Sequence, residues 1–114
     1  MSRPRSLAKA EQRSTAPIFA ALGDETRLAL LSRLGAGEPL SIVRLSGGTP
    51  LTRQAITKHL RVLAKAGLVK DARRGRERLW ELAPEPLEKA RRYLDQISQQ
   101  WDEALARLKT LVER

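Results

Sequence analysis

Between Thr52 and Gly67 the chain reads TRQAITKHLRVLAKAG, a segment with no acidic residue. Arg53, Gln54, Thr57, Lys58 and Arg61 supply side chains of the kind that hydrogen-bond base edges or neutralise phosphate. A solvated helix face ordinarily interleaves Glu with Lys for i,i+4 pairing, so unrelieved positive charge points to an anionic partner. Chemistry of bond making has no comparable constellation. His59 is the single histidine and cysteine is absent, which leaves no zinc set and no activated nucleophile. No carboxylate pair stands at a meaningful spacing, and the Gly47-Gly48 pair lacks the Gly-Lys-Ser/Thr sequence of a phosphate loop. The reading is therefore not an enzyme, with no metal site and no cofactor.

The elements that must position those side chains follow from local rules. Thr52 is an N-cap and Gly67 a left-handed stop, and between them Ile56, Leu60 and Leu63 form one apolar stripe. Two short strands are predicted next, Leu68 to Ala72 and Arg78 to Leu82, joined by the turn Arg73-Arg74-Gly75-Arg76. Upstream, Ser2 to Thr15 is basic and becomes helical toward Leu22. Asp24 caps a helix over Glu25 to Leu34 with Leu28, Leu31 and Leu34 inward and Gly35 ending it. Ser41 caps a short helix through Leu45, and Gly47-Gly48-Thr49-Pro50 makes the turn before the basic helix.

Pro86 to Glu113 reads as one long helix. Leu87, Ala90, Leu94, Ile97, Trp101, Ala104, Leu108 and Leu111 recur at alternating spacings of three and four, and Leu105 and Val112 widen the face. Such a seam spans about 40 Å at ~1.5 Å per residue, more than a small head needs for its own core. A partner helix from a second copy is expected on Leu87, Leu94, Ile97, Trp101, Leu105 and Leu108. The other way to cover it is the N-terminal helix of the same chain.

The charge distribution agrees with an anionic partner. Of the net +9, residues 52–78 hold nine basic and two acidic side chains. That imbalance suits phosphate neutralisation by counterion release, although a basic chain also suits RNA or an anionic membrane surface. The length of 114 residues suits one domain over 1–114: a basic arm over 1–15, a head over 16–84 and a dimerisation helix over 85–114. No stretch approaches the ~20 apolar residues of a membrane helix, and Met1 to Thr15 is too polar for a secretory signal, so no membrane partner and a cytoplasmic, DNA-associated location are expected.

The order DETRLALLSRL, LTRQAITKHLRVLAKAGLV, RRGRERLWEL closely resembles the ArsR family of prokaryotic winged helix-turn-helix repressors, over roughly Ile18 to Leu82 and the helix beyond. The resemblance implies a fold that is mainly α with a small β-hairpin, and a recognition helix over Thr52 to Ala66. It places base contacts at Arg53, Gln54, Thr57 and Lys58, and a wing over Arg73 to Arg78. Candidate DNA-binding residues are thus Thr52, Arg53, Gln54, Thr57, Lys58, His59, Arg61, Arg73, Arg74 and Arg76. His59 is expected to pack against the helix-turn-helix or to touch phosphate. Where well-known members carry metal-binding thiolates this chain reads LSIVRLS, and its last helix has no histidine, so it resembles the branch without metal-binding cysteines. The expectation is a homodimeric repressor on double-stranded DNA with an inverted-repeat operator, and with a small-molecule effector of unknown identity as a further partner. The competing readings are a non-specific architectural DNA binder and a module that meets an acidic protein.

Overall fold

The computed structural model describes residues 5–113; the opening of the expected basic arm lies outside them. Five helices and a hairpin follow in the order α1 (Arg5–Leu22), α2 (Glu25–Gly35), α3 (Ile42–Ser46), α4 (Arg53–Lys65), β1 (Val69–Arg74), β2 (Glu77–Leu82) and α5 (Pro84–Val112). The core is made where α1, α2, α4 and the hairpin base meet: Ile56, Leu60, Leu63 and Leu68 are wholly buried, with Leu30, Leu34, Leu45 and Trp80 around them. Each such side chain removed from water contributes about 1.5–3 kcal/mol.

Local chemistry sets the helix ends. Asp24 and Ser41 accept from the backbone N–H of Arg27 and Arg44 at the starts of α2 and α3. α2 turns a different stripe inward from the one expected, because Leu30, Leu31 and Leu34 are buried while Leu28 is 51 % exposed. Arg27, half-buried, takes the inward-facing position one residue earlier. Its Nε donates to the Ala21 carbonyl at 2.6 Å and its guanidinium also reaches Ala20, so the stem is carried inward and the charge lands on the carbonyls that end α1. Arg33, itself exposed, likewise places its charge on carbonyls of α3, donating to Arg44 at 2.8 Å and Leu45 at 2.7 Å.

The hairpin departs from expectation in its turn. Arg73 and Arg74 belong to β1, with Arg73 opposite Arg78 and Arg74 opposite Glu77, leaving only Gly75 and Arg76 as the loop. Gly75 has φ +64 and Arg76 is not in the positive region, the pattern of a type II′ turn with glycine first. Leu40 exchanges both backbone hydrogen bonds with Trp80, at 2.9 and 2.8 Å, adding a one-residue third strand to the wing.

α5 starts two residues before the predicted Pro86, with Pro84 in its first turn. Its first half lies along α1, where Phe19 and Tyr93 set their rings 6.1 Å apart and Ala90 is buried. Beyond Ile97 every described residue is exposed. The radius of gyration is 18.9 Å, against about 13 Å for a globular chain of this length. The helix accordingly stands clear of the head.

Candidate nucleic-acid interface

α4 is held at both ends. The Thr52 hydroxyl accepts from the Ala55 N–H at 3.1 Å. At the other end Gly67, at φ +78, lets its own N–H bond the Ala64 carbonyl and the Leu68 N–H bond that of Leu63, each at 2.9 Å, a complete Schellman motif. With Ile56, Leu60 and Leu63 locked into the core, the 3.6-residue period turns Gln54, Lys58, Arg61 and Lys65 to solvent.

The structure divides the predicted contact residues. Arg53, Gln54, Thr57, Lys58 and Arg61 line one depression of about 460 Å³ between α3 and α4, floored by Ile42 and Val43. The wing residues Arg73, Arg74 and Arg76 are exposed on the hairpin and do not line it. Three of the predicted residues, Thr57 among them, are engaged by their own chain. Thr52 caps the helix, the Thr57 hydroxyl donates to the Arg53 carbonyl at 2.8 Å, and half-buried His59 turns its Nδ1 toward Arg27 at 3.4 Å and Asp24 at 3.8 Å. The Arg27 backbone N–H bonded to Asp24 holds that carboxyl below its usual pKa, with the Arg27 and His59 side chains acting in the same direction.

The unpaired charge is concentrated. Lys70 reaches Glu81 at 3.7 Å across the hairpin, and Arg78 pairs with Asp71 at 3.0 Å while its guanidinium lies 4.9 Å from the Trp80 ring centre. Among the described residues no acid pairs with Arg53, Lys58, Arg61, Lys65, Arg73, Arg74 or Arg76. The sequence reasoning missed Val43, 58 % exposed beside the polar side chains of α4. The signal was available: Ile42 and Val43 are adjacent on a helix of one turn and cannot both face inward.

Comparison with known proteins gives this arrangement a family. Residues 22–72 match a family described as helix-turn-helix domain. The HTH-type transcriptional regulator Rv2034 of Mycobacterium tuberculosis is 37 % identical over 101 residues, covering 89 % of this chain and 91 % of its own. An ArsR-like transcriptional regulator from Rhodococcus sp. RHA1 superposes with a TM-score of 0.76 at 39 % identity, over 87 % of this chain and 92 % of its own. The chain belongs to the ArsR family. At the level of fold alone, a homodimeric winged helix-turn-helix DNA-binding domain from Mycobacterium bovis superposes with a TM-score of 0.62 at 23 % identity, over 91 % of each chain. This ArsR-family transcriptional regulator thus presents α3, the turn and α4 as its helix-turn-helix and β1–β2 as its wing. Among its described residues no three His, Cys, Asp or Glu side chains gather as a metal-binding group, and no helix is long and apolar enough to cross a membrane.

Proposed function

We propose that the protein is a homodimeric, sequence-specific repressor that binds an inverted-repeat operator through α4 and grips the flanking backbone with its wing. The observation that carries this reading is the bare cationic surface: seven basic side chains of α4 and the hairpin have no ion-pair partner among the described residues, beside a depression lined by Gln54 and Lys58. Phosphate neutralisation uses such charge, and Gln and Lys read base edges in the major groove. Val43 adds an apolar contact on the same surface.

Dimerisation is supported by the exposed apolar stripe of α5. Leu94, Trp101, Leu105, Leu108, Leu111 and Val112 are each about half exposed or more, a stripe of apolar area that this chain leaves uncovered. Large contiguous patches of that kind mark interfaces. The Mycobacterium bovis neighbour is itself homodimeric. Two α4 helices related by a twofold axis would enter successive major grooves ~34–36 Å apart. Leu87 contributes less to this seam than the sequence suggested, since it packs on the core of its own head.

With no cysteine in the chain, a thiolate site for metal or arsenite is closed to it. Regulation then falls to an organic ligand, a protein partner or repressor abundance. Footprinting of the full chain on the DNA upstream of its own gene, at a stated salt concentration, tests the proposal. A protected inverted repeat of two half-sites one turn apart is expected. Uniform protection, with equal affinity for random DNA, would replace it with the architectural reading.

A further inference from the structure

Two concavities meet on a flank of the molecule that shares only Lys65 with the bare cationic surface of α4 and the hairpin. One, of about 520 Å³, lies where α1, the end of α4 and the first turns of α5 converge. The other, of about 330 Å³, continues along the α1–α5 seam. Lys89 and Arg92 line both, which sets the two side by side as the lobes of a trough. Its volume falls in the range of small-molecule sites.

The lining has two chemistries. Lys65, Lys89 and Arg92 bring three cationic groups, none with an ion-pair partner among the described residues, and outnumber the two carboxylates of the lining, Glu11 and Glu85. Pro17, Ile18, Ala66 and Pro86 supply an apolar wall. Thr15, a buried polar residue, borders the narrower end beside Tyr93. A molecule with an anionic head and a short apolar body satisfies both halves, its head held by charge-assisted hydrogen bonds.

The trough is placed to act on α4. Gly67 brings the end of α4 so close to α5 that a Cβ added there would stand 3.3 Å from Pro86 Cγ. A ligand spanning Lys65 and Ala66 on one side and Lys89 and Arg92 on the other therefore bears on the joint between the recognition helix and α5. Glu85, Lys89, Arg92 and Gln96 recur at i, i+4, i+7 and i+11, roughly 160° around α5 from the stripe of Leu94, Trp101 and Leu108 at 3.6 residues per turn. A second copy seated on that stripe alone would leave the trough open.

We propose that this trough binds a small amphipathic anion, an organic carboxylate or phosphate ester, and that occupancy weakens operator binding; only the second half rests on the repressor reading above. Octanoate, octyl phosphate and neutral octanamide, titrated into the isotope-labelled full chain by NMR, share a tail and differ in head. Both anions are expected to shift the amides of Thr15, Ala66 and Lys89, with octanamide about tenfold weaker or more. A Lys89→Gln, Arg92→Gln double variant should lose that preference and still bind free operator DNA. The stronger of the two anions identifies the head group. Equal affinity for all three, shifts confined to residues 101–112, or an unaltered double variant would overturn the site. Anion binding that leaves operator affinity unchanged would overturn the coupling. Because the titration contains no DNA, failure to find an operator would sink the repressor reading and leave the site standing.

Discussion

α4 and the far half of α5 are amphipathic helices of similar pattern and opposite fate. In α4 the apolar stripe, Ile56, Leu60 and Leu63, is wholly buried by the same chain, and the polar face is bare and cationic. In α5 beyond Ile97 the apolar stripe itself is bare, with Trp101 66 % and Leu108 56 % exposed. A period of 3.6 declares that one face must be covered; it does not say which chain covers it. The difference comes from the neighbours in sequence. α4 is flanked by a turn and a hairpin that fold back on it, whereas α5 outruns the length of α1 and meets nothing further among the described residues.

If that contrast is right, damage to the two stripes should read out differently. Trp101→Glu is expected to have the largest effect, giving folded monomers by sedimentation and circular dichroism and a loss of operator affinity of about 10²-fold or more as avidity is lost. A folded variant that remains dimeric would remove the proposed interface. Leu60→Ala should destabilise the head by about 2–5 kcal/mol in urea unfolding, by the same amount at every protein concentration. Leu108→Ala should cost little in concentrated solution and progressively more on dilution, because its loss acts through assembly. A Leu108→Ala deficit independent of concentration would mean that α5 is covered within its own chain.

The polar faces sharpen the comparison further. Replacing Gln54 or Lys58 by Ala should cost about 1–3 kcal/mol on the operator and much less on random DNA, measured by fluorescence anisotropy. Equal losses on the two DNAs would point to backbone binding alone. Arg74→Ala or Arg76→Ala should instead lower the slope of log K against log salt by about one unit with little change in sequence preference. A slope unaltered in both would reduce the hairpin tip to a plain turn.

What the sequence made legible was what local rules decide. Thr52 and Gly67 bound α4 as expected, since a capping hydroxyl and a left-handed glycine act within one turn of themselves. The failures are non-local or amphipathic. Arg27 displaced Leu28 from the interior because a long aliphatic stem can lie on the core while its charge finds carbonyls, and hydropathy scores only the charge. β1 ran on through Arg73 and Arg74 because a hairpin tip exposed on both faces needs no apolar alternation to keep pairing. The Leu40–Trp80 pairing joins residues far apart in sequence, and no periodicity signals it. In the candidate interface, side-chain types marked the solvent-facing side of α4 and the Thr52 cap, but Thr57 and His59 have partners of their own that only the folded chain reveals.

The smallest expected effect lies at that last junction, where α4 is tied to α2 by side chains and the far half of α5 has no equivalent. Asp24 caps α2 and stands 3.8 Å from His59, and its carboxyl titrates below its ordinary range chiefly because it accepts from the Arg27 N–H. A depressed folded-state pKa means that the charged form favours the fold. The contribution is complete above the unfolded carboxylate range and is lost as pH falls through the lower folded value. Wild-type thermal stability should therefore decline slightly below about pH 4 through this group. Asp24→Asn keeps a capping oxygen without the charge, so it should be marginally less stable than wild type at neutral pH and should converge on it in acid. Because the Asp24 side chain is still partly open to solvent, the gap should narrow with added salt. A gap that persists unchanged at low pH would show that Asp24 acts through shape and hydrogen bonding rather than through its charge, leaving the α2–α4 junction as dependent on packing as the rest of the head.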